Sequence, residues 1–147
     1  MAERLTLYFD GGCRPNPGPI EIMVVVCGQA HYRAGLGTGD SNDAEWLALL
    51  YAAELAAAAG AADVLFIGDS SLVVEQAAGR QRCRGARLQA HQVAFETTVA
   101  GIARVRLKWV PRTKNLAGIA LARWGLPAPS RTARADLIEG QPASTTG

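Results

Sequence analysis

The sequence predicts a single α/β domain built on a mixed five-stranded sheet with helices on both faces. Three observations carry this. Three strand-like stretches follow one another near the N-terminus with no helical segment between them, the mark of an antiparallel meander. Beyond about residue 42, helical and strand-like stretches alternate, which adds strands through helical crossovers. The 147 residues, 49% hydrophobic and 19% charged, suffice to bury one full core.

In order, Leu5, Leu7 and Phe9 alternate with Thr6, Tyr8 and Asp10, the period of a strand with two distinct faces. The cluster G-G-C-R-P-N-P-G-P, Gly11–Pro19, reads as a turn. Ile22–Cys27 is a second strand and about Ala30–Leu36 a third. Asn42–Ala59 is the clearest helix, with Asn42 or Ser41 to cap it, acids in its first turn and Gly60 to end it. Val64–Ile67 is a short buried strand, Ser70–Ala78 a second helix stopped by Gly79, and Arg87–Val99 a third. Arg104–Val110 alternates as a half-buried strand, and Asn115–Trp124 is a last helix capped by Asn115. The order is therefore β-β-β-α-β-α-α-β-α over residues 1–124. Residues 125–147, rich in Pro, Ser, Thr and Ala, are expected to form a flexible tail.

The longest apolar run, Ile22–Cys27, falls far short of the roughly 18 residues a membrane span needs. The N-terminus shows no basic stretch followed by an apolar one, so no signal peptide is read. Three cysteines without a C-x-x-C pair suit a reducing cytoplasm, and Cys83, between Arg82 and Arg84, reads as a surface thiol. The net charge of +2 hides an asymmetry. Residues 1–75 hold ten acids and three bases, whereas residues 76–147 hold twelve bases and three acids. Such a division suits either a cation site beside a polyanion-binding surface, or solvated helix faces.

Asp10 and Asp69 each follow an apolar strand, at the strand ends where open α/β sheets place their sites. Asp10 reads alternatively as a turn-initiating Asp-Gly, and Asp69 as the cap of the following helix. Glu45 suits a helix first turn, yet it shares a face with Ala48, Leu49 and Ala52 that looks inward. Three inward acids at one sheet edge repel one another, and hard carboxylate oxygens suit Mg²⁺ or Mn²⁺.

Four stretches in order, Y-F-D-G-G-C-R-P-N-P-G-P, S-N-D-A-E-W-L-A-L, G-D-S-S-L-V-V-E-Q-A-A-G and W-V-P-R-T-K-N-L-A-G-I-A-L-A, resemble the type 1 ribonuclease H family in its short form without a basic protrusion. They cover residues 4 to 124. The resemblance implies the five-stranded ribonuclease H-like sheet and cleavage of the RNA strand of RNA–DNA hybrids by two metal ions and four carboxylates, leaving 5′-phosphate ends. Asp10 would bridge both ions, while Glu45 and Asp69 would hold the one on the leaving-group side. The family's fourth acid belongs in a motif N-x-x-A-D-x-L-A, and this chain has Ile119 at its place. Asn115, one helical turn before Ile119, is either a replacement metal ligand through its amide oxygen or only the helix cap.

For the hybrid, Asn16 and Asn42 match family positions that reach 2′-hydroxyls through the minor groove, with Cys13, Arg14 and Ser70 as further candidates. Arg82 and Arg84 would bind phosphates irrespective of sequence, and Arg112 would contact phosphate from the loop before the last helix. Ile20–Ile22, where the family usually has small residues, is a departure, and so is Pro15. Two functions of different class remain open. One is an active hybrid-specific endoribonuclease, expected to be a cytoplasmic monomer with no membrane partner. The other is a non-catalytic hybrid-binding module that has lost one metal.

Overall fold

In a computed structural model, which describes residues 3–124, the chain forms strands β1 (Leu5–Cys13), β2 (Gly18–Val26), β3 (Gln29–Gly39), β4 (Asp63–Gly68) and β5 (Arg104–Trp109). Its helices are α1 (Ser41–Ala58), α2 (Ser71–Ala77), α3 (Ala86–Val99) and α4 (Leu116–Arg123), with a 3-10 turn at Arg112–Lys114. The tail expected over 125–147 lies outside the described residues. The element order matches the one read from the sequence. The sheet order is β3-β2-β1-β4-β5: β1 pairs antiparallel with β2 and parallel with β4, and β4 pairs parallel with β5.

Alternation along the strands sends side chains to two different layers. Leu7 and Phe9 of β1, Ile20, Ile22 and Val24 of β2, and Val64 and Phe66 of β4 pack against α1, α2 and α3, with Trp46, Leu49, Val73 and Phe95. Burying each of these large apolar side chains contributes about 1.5–3 kcal/mol. The opposite face is covered by α4 over β1–β3, where Met23, Tyr8, Val25 and Tyr32 meet Ala117, Leu121 and Trp124. Among the described residues, no helix is long and apolar enough to cross a membrane.

Several local expectations are corrected. Gly11 and Gly12 are strand and not turn, because β2 pairs with β1 as far as Cys13↔Ile20. Asp10 therefore lies inside β1, although it stands beyond the end of the parallel pairing with β4, whose last register pair is Tyr8↔Ile67. The cap of α1 is Asp40, which accepts from Asp43 N while the Asp43 side chain accepts from Asp40 N. This reciprocal box displaces Ser41 and Asn42 into the first turn. The cap of α2 is Ser70 and not Asp69, with Ser70 Oγ accepting from Val73 N at 3.3 Å. Cys83 is a core residue, and burial pushes its thiol pKa up.

Candidate active site

Three elements deliver three acids to one point. Asp10 comes from β1 and faces α4, on the same side as Tyr8. Glu45 comes from the start of the second turn of α1, and Asp69 follows the last residue of β4. One oxygen from each of the three lies within 4.8 Å of the others. The approach of α1 depends on Gly11, where a Cβ would run into the Ala44 carbonyl. The small buried face of α1, Ala44, Ala48, Ala52 and Ala53, lets the helix lie close over the strands.

All three carboxylates are withdrawn from water: Asp10 is 4% exposed, Glu45 is 6% and the Asp69 side chain is 5%. Burial pushes the Asp10 carboxyl up to about 6, with the Asp69 charge adding to the effect while a hydrogen bond with Glu45 and the Arg112 charge oppose it. Glu45 is raised well above its usual value, first by burial and then by the Asp10 charge. Asp10 Oδ1 and Glu45 Oε1 are buried and have no hydrogen-bond partner. Oxygen-only donors that are crowded, desolvated and unpartnered fit a hard divalent cation.

Two further residues bear on Asp69. Asn115 is fully buried. Its Nδ2 donates to Asp69 Oδ2 at 2.9 Å and to Phe9 O at 3.0 Å, while its Oδ1 accepts from Ala117 N at 3.0 Å. The amide oxygen is thus committed to capping α4, and the face turned to the acids is a donor. Of the two alternatives for Asn115, the geometry takes the cap, and it corrects the expectation of an oxygen ligand. Arg112 places Nη2 at 3.6 Å from Asp69 Oδ1, with most of its side chain exposed. Helix α4 passes close by: a Cβ on Gly118 would sit 3.4 Å from Asp69 Oδ2 and 3.6 Å from Asp10 Oδ2. Ile119 follows Gly118 directly along α4 and is 37% exposed.

The other candidates spread outwards from this cluster. Asn42 is half-buried one turn before Glu45 on α1, and Ser70 caps α2. Arg14 and Asn16 are exposed in the β1–β2 turn, where Cys13 Sγ donates to Asn16 Oδ1 at 3.5 Å. Arg82 and Arg84 are exposed on the strap between α2 and α3. The strap backbone is held by Gln76 Nε2 on Arg82 O at 3.3 Å and Gln89 Nε2 on Cys83 O at 3.2 Å. Among the described residues no hydrogen bond or ion pair joins Arg82 or Arg84 to the acids. Sequence reasoning missed Trp109, whose Nε1 donates to Asp69 O at 3.0 Å and fixes the backbone beneath that acid. Its place at the end of an alternating strand, next to the site, was the available signal.

The family described as reverse transcriptase-like matches residues 20–125. The chain is 34% identical over 128 residues to ribonuclease HI of Halobacterium salinarum, covering 84% of this chain and 64% of that protein. It is 30% identical over 139 residues to a bifunctional protein of Mycobacterium tuberculosis, covering 90% of this chain but 38% of that one. The crystal structure of the Halobacterium salinarum RNase H1 superposes with a TM-score of 0.75 at 31% identity, covering 81% of this chain and 94% of that one. LC11-RNase H1, solved in complex with an RNA/DNA hybrid, gives a TM-score of 0.68 at 28% identity, covering 76% of this chain and 88% of that one. Sequence motifs, sheet order and acid cluster agree with these likenesses, and the chain belongs to the type 1 ribonuclease H family.

Proposed function

We propose that this protein is a ribonuclease H, an endoribonuclease that hydrolyses the RNA strand of RNA–DNA hybrids with Mg²⁺ or Mn²⁺ and leaves 5′-phosphate ends. The observation that carries it is the buried trio Asp10, Glu45 and Asp69 with two unpartnered oxygens. A module that only binds nucleic acid gains nothing from three desolvated, mutually repelling carboxylates. The hybrid held by LC11-RNase H1 supports the substrate class.

In this reading Asp10, Glu45 and Asp69 hold two divalent ions. When bound, the ions supply Lewis-acid polarisation of the phosphodiester and a water of lowered pKa. Asn115 keeps Asp69 aimed at the site through its 2.9 Å hydrogen bond. Arg112 offsets part of the negative charge, and its remaining N–H groups are free for a phosphate oxygen. Asn16 and Asn42, with Cys13, Arg14 and Ser70, line the approach to the minor groove, and Arg82 and Arg84 take backbone phosphates further out. The setting is cytoplasmic and the protein acts as a monomer.

Ile119 favours the second reading, a hybrid-binding module without turnover, because it leaves one ion short of a carboxylate. The deciding experiment incubates an end-labelled RNA–DNA hybrid with the protein in Mg²⁺ and, separately, in Mn²⁺. The expected outcome is RNA-strand cleavage, faster in Mn²⁺, with Ile119→Asp raising the Mg²⁺ rate roughly tenfold to a hundredfold by completing the ion clamp. Tight hybrid binding without cleavage in either metal, for both proteins, overturns the enzyme reading and leaves the module.

A further inference from the structure

The stretch Ile20–Glu21–Ile22 stands where small residues were expected, and the function described so far does not use its glutamate. Ile20 and Ile22 point into the main core, so Glu21 points to the opposite face, together with Met23 and Val25. That is also the face of Asp10. The register pairs Asp10 with Met23 and Gly12 with Glu21, so Glu21 lies one strand over from Asp10, about 4.7–4.9 Å across, and one pleat repeat along, about 6.6–6.8 Å by strand rise. Gly12 offers no side chain between them, and a Cβ there would meet nothing within 4 Å. The surface from the acid cluster to Glu21 is open.

Both oxygens of Glu21 are engaged. Oε1 accepts from the Tyr32 hydroxyl at 2.8 Å, and Oε2 accepts from Arg14 Nη2 at 3.2 Å. Tyr32 is itself clamped, its ring stacked on Trp124 after the end of α4 at 4.9 Å and 22°. Burial, with Glu21 beside it, pushes the Tyr32 phenol up to about 12, so it stays a donor throughout the working pH range. One oxygen of Glu21 is fixed from below, and the other is held towards Arg14. The Arg14 side chain is 77% exposed, so most of its N–H groups are free.

We propose that Glu21 and Tyr32 are positioning residues that hold Arg14 as a clamp for the backbone phosphate next to the scissile one. The proposal rests on the hybrid-cleaving reading, which places the scissile phosphodiester over Asp10. A neighbouring phosphate then lies along the β1 direction, towards Gly12 and the β1–β2 turn. Three carboxylates repel that phosphate unless a cation meets it, and a guanidinium does so through paired N–H donors. An unbraced arginine loses much side-chain freedom on making such a contact. The brace from Glu21 has already removed part of that freedom. Pairing also neutralises Glu21, which would otherwise repel the same phosphate.

The test measures hybrid binding by fluorescence anisotropy without divalent ions over a salt series, and steady-state cleavage in Mg²⁺. The proteins are the wild type, Arg14→Ala, Glu21→Gln, Tyr32→Phe and the double variant Arg14→Ala/Glu21→Gln. Arg14→Ala is expected to raise Kd and KM about threefold to tenfold, the span of one net hydrogen bond, with kcat little changed. Its salt slope is expected to shrink by less than one ion, because Glu21 already matches part of the Arg14 charge. Glu21→Gln and Tyr32→Phe weaken binding in the same direction by less, and Glu21→Gln adds nothing in the Arg14→Ala background. Tighter binding by Glu21→Gln, or additive losses in the double variant, overturns the proposal. If Glu21→Gln does not fold, Tyr32→Phe removes only a hydroxyl and decides the point by the same Kd comparison. If the wild type binds the hybrid without cutting it, the cleavage reading falls while the binding comparison still decides the clamp. A wild type that does not bind the hybrid overturns both.

Discussion

Asp10 is held where its charged form is costly, and this gives it a pH signature opposite to that of an ordinary surface aspartate. Its carboxyl moves from 3.8 to about 6 on folding, so between these values the native state binds more protons than the unfolded chain. Stability without metal therefore falls as pH rises from about 4 to about 6, by about 1–3 kcal/mol from this group. Asp10→Asn removes the penalty. At pH 7 in EDTA it should raise the urea midpoint while abolishing cleavage, and a lower midpoint would show that the carboxylate is not strained. Cleavage itself should rise with pH through about 6, because a cation needs the acids deprotonated. The three acids were legible as residues, each in its own short motif. The orientation of Asn115 was not, because it is set by Phe9 O, 106 residues away in sequence.

At the scale of elements, the contact between β1 and α1 places Glu45 against Asp10, and Gly11 allows it. Gly11→Ala should push the strand from the helix, costing about 1–3 kcal/mol or more by overpacking. It should also weaken Mn²⁺ binding in a calorimetric titration more than a helix-surface change of equal stability cost. Equal losses in the two variants would separate the contact from the site. The extent of β1 shows why element bounds were only partly legible. Glycines read locally as turn, but pairing with β2 carries the strand through Gly11 and Gly12 to Cys13. Likewise Asp40 was hidden as a cap, because Ser41 and Asn42 beside it are equally good cap residues by type. The periodic stretches, by contrast, were found in the right order because alternation and helical spacing report burial directly.

Over the whole molecule, the split between an acidic first half and a basic second half is partly consumed internally. Of the nine bases between Arg80 and Lys114, Arg80 pairs with Glu75, Arg87 with Asp40 and Asp43, Arg106 with Asp63, and Arg112 with Asp69. Each partner is an acid of residues 1–75. The charge count alone therefore overstated the polyanion-binding surface, and only tertiary structure shows which arginines remain free. Arg82 and Arg84 have no ion pair among the described residues. Replacing either with Ala should reduce the salt slope of hybrid binding by about one, whereas Arg106→Ala, already matched by Asp63, should change it much less. Equal slopes for all three would mean that the strap is not a phosphate contact.

Helix α4 is seated by contacts that involve no ion: Asn115 fastens its start to Phe9 and Asp69, and Trp124 rests on Tyr32 just after its last turn. Gly118 is thereby held over Asp10 and Asp69, and residue 119 follows it whatever its chemistry. Position 119 is in this sense an interchangeable socket in a finished frame, and exchanging its apolar side chain for an acid is expected to alter the metal site in one mutational step while leaving the helix seated as it is.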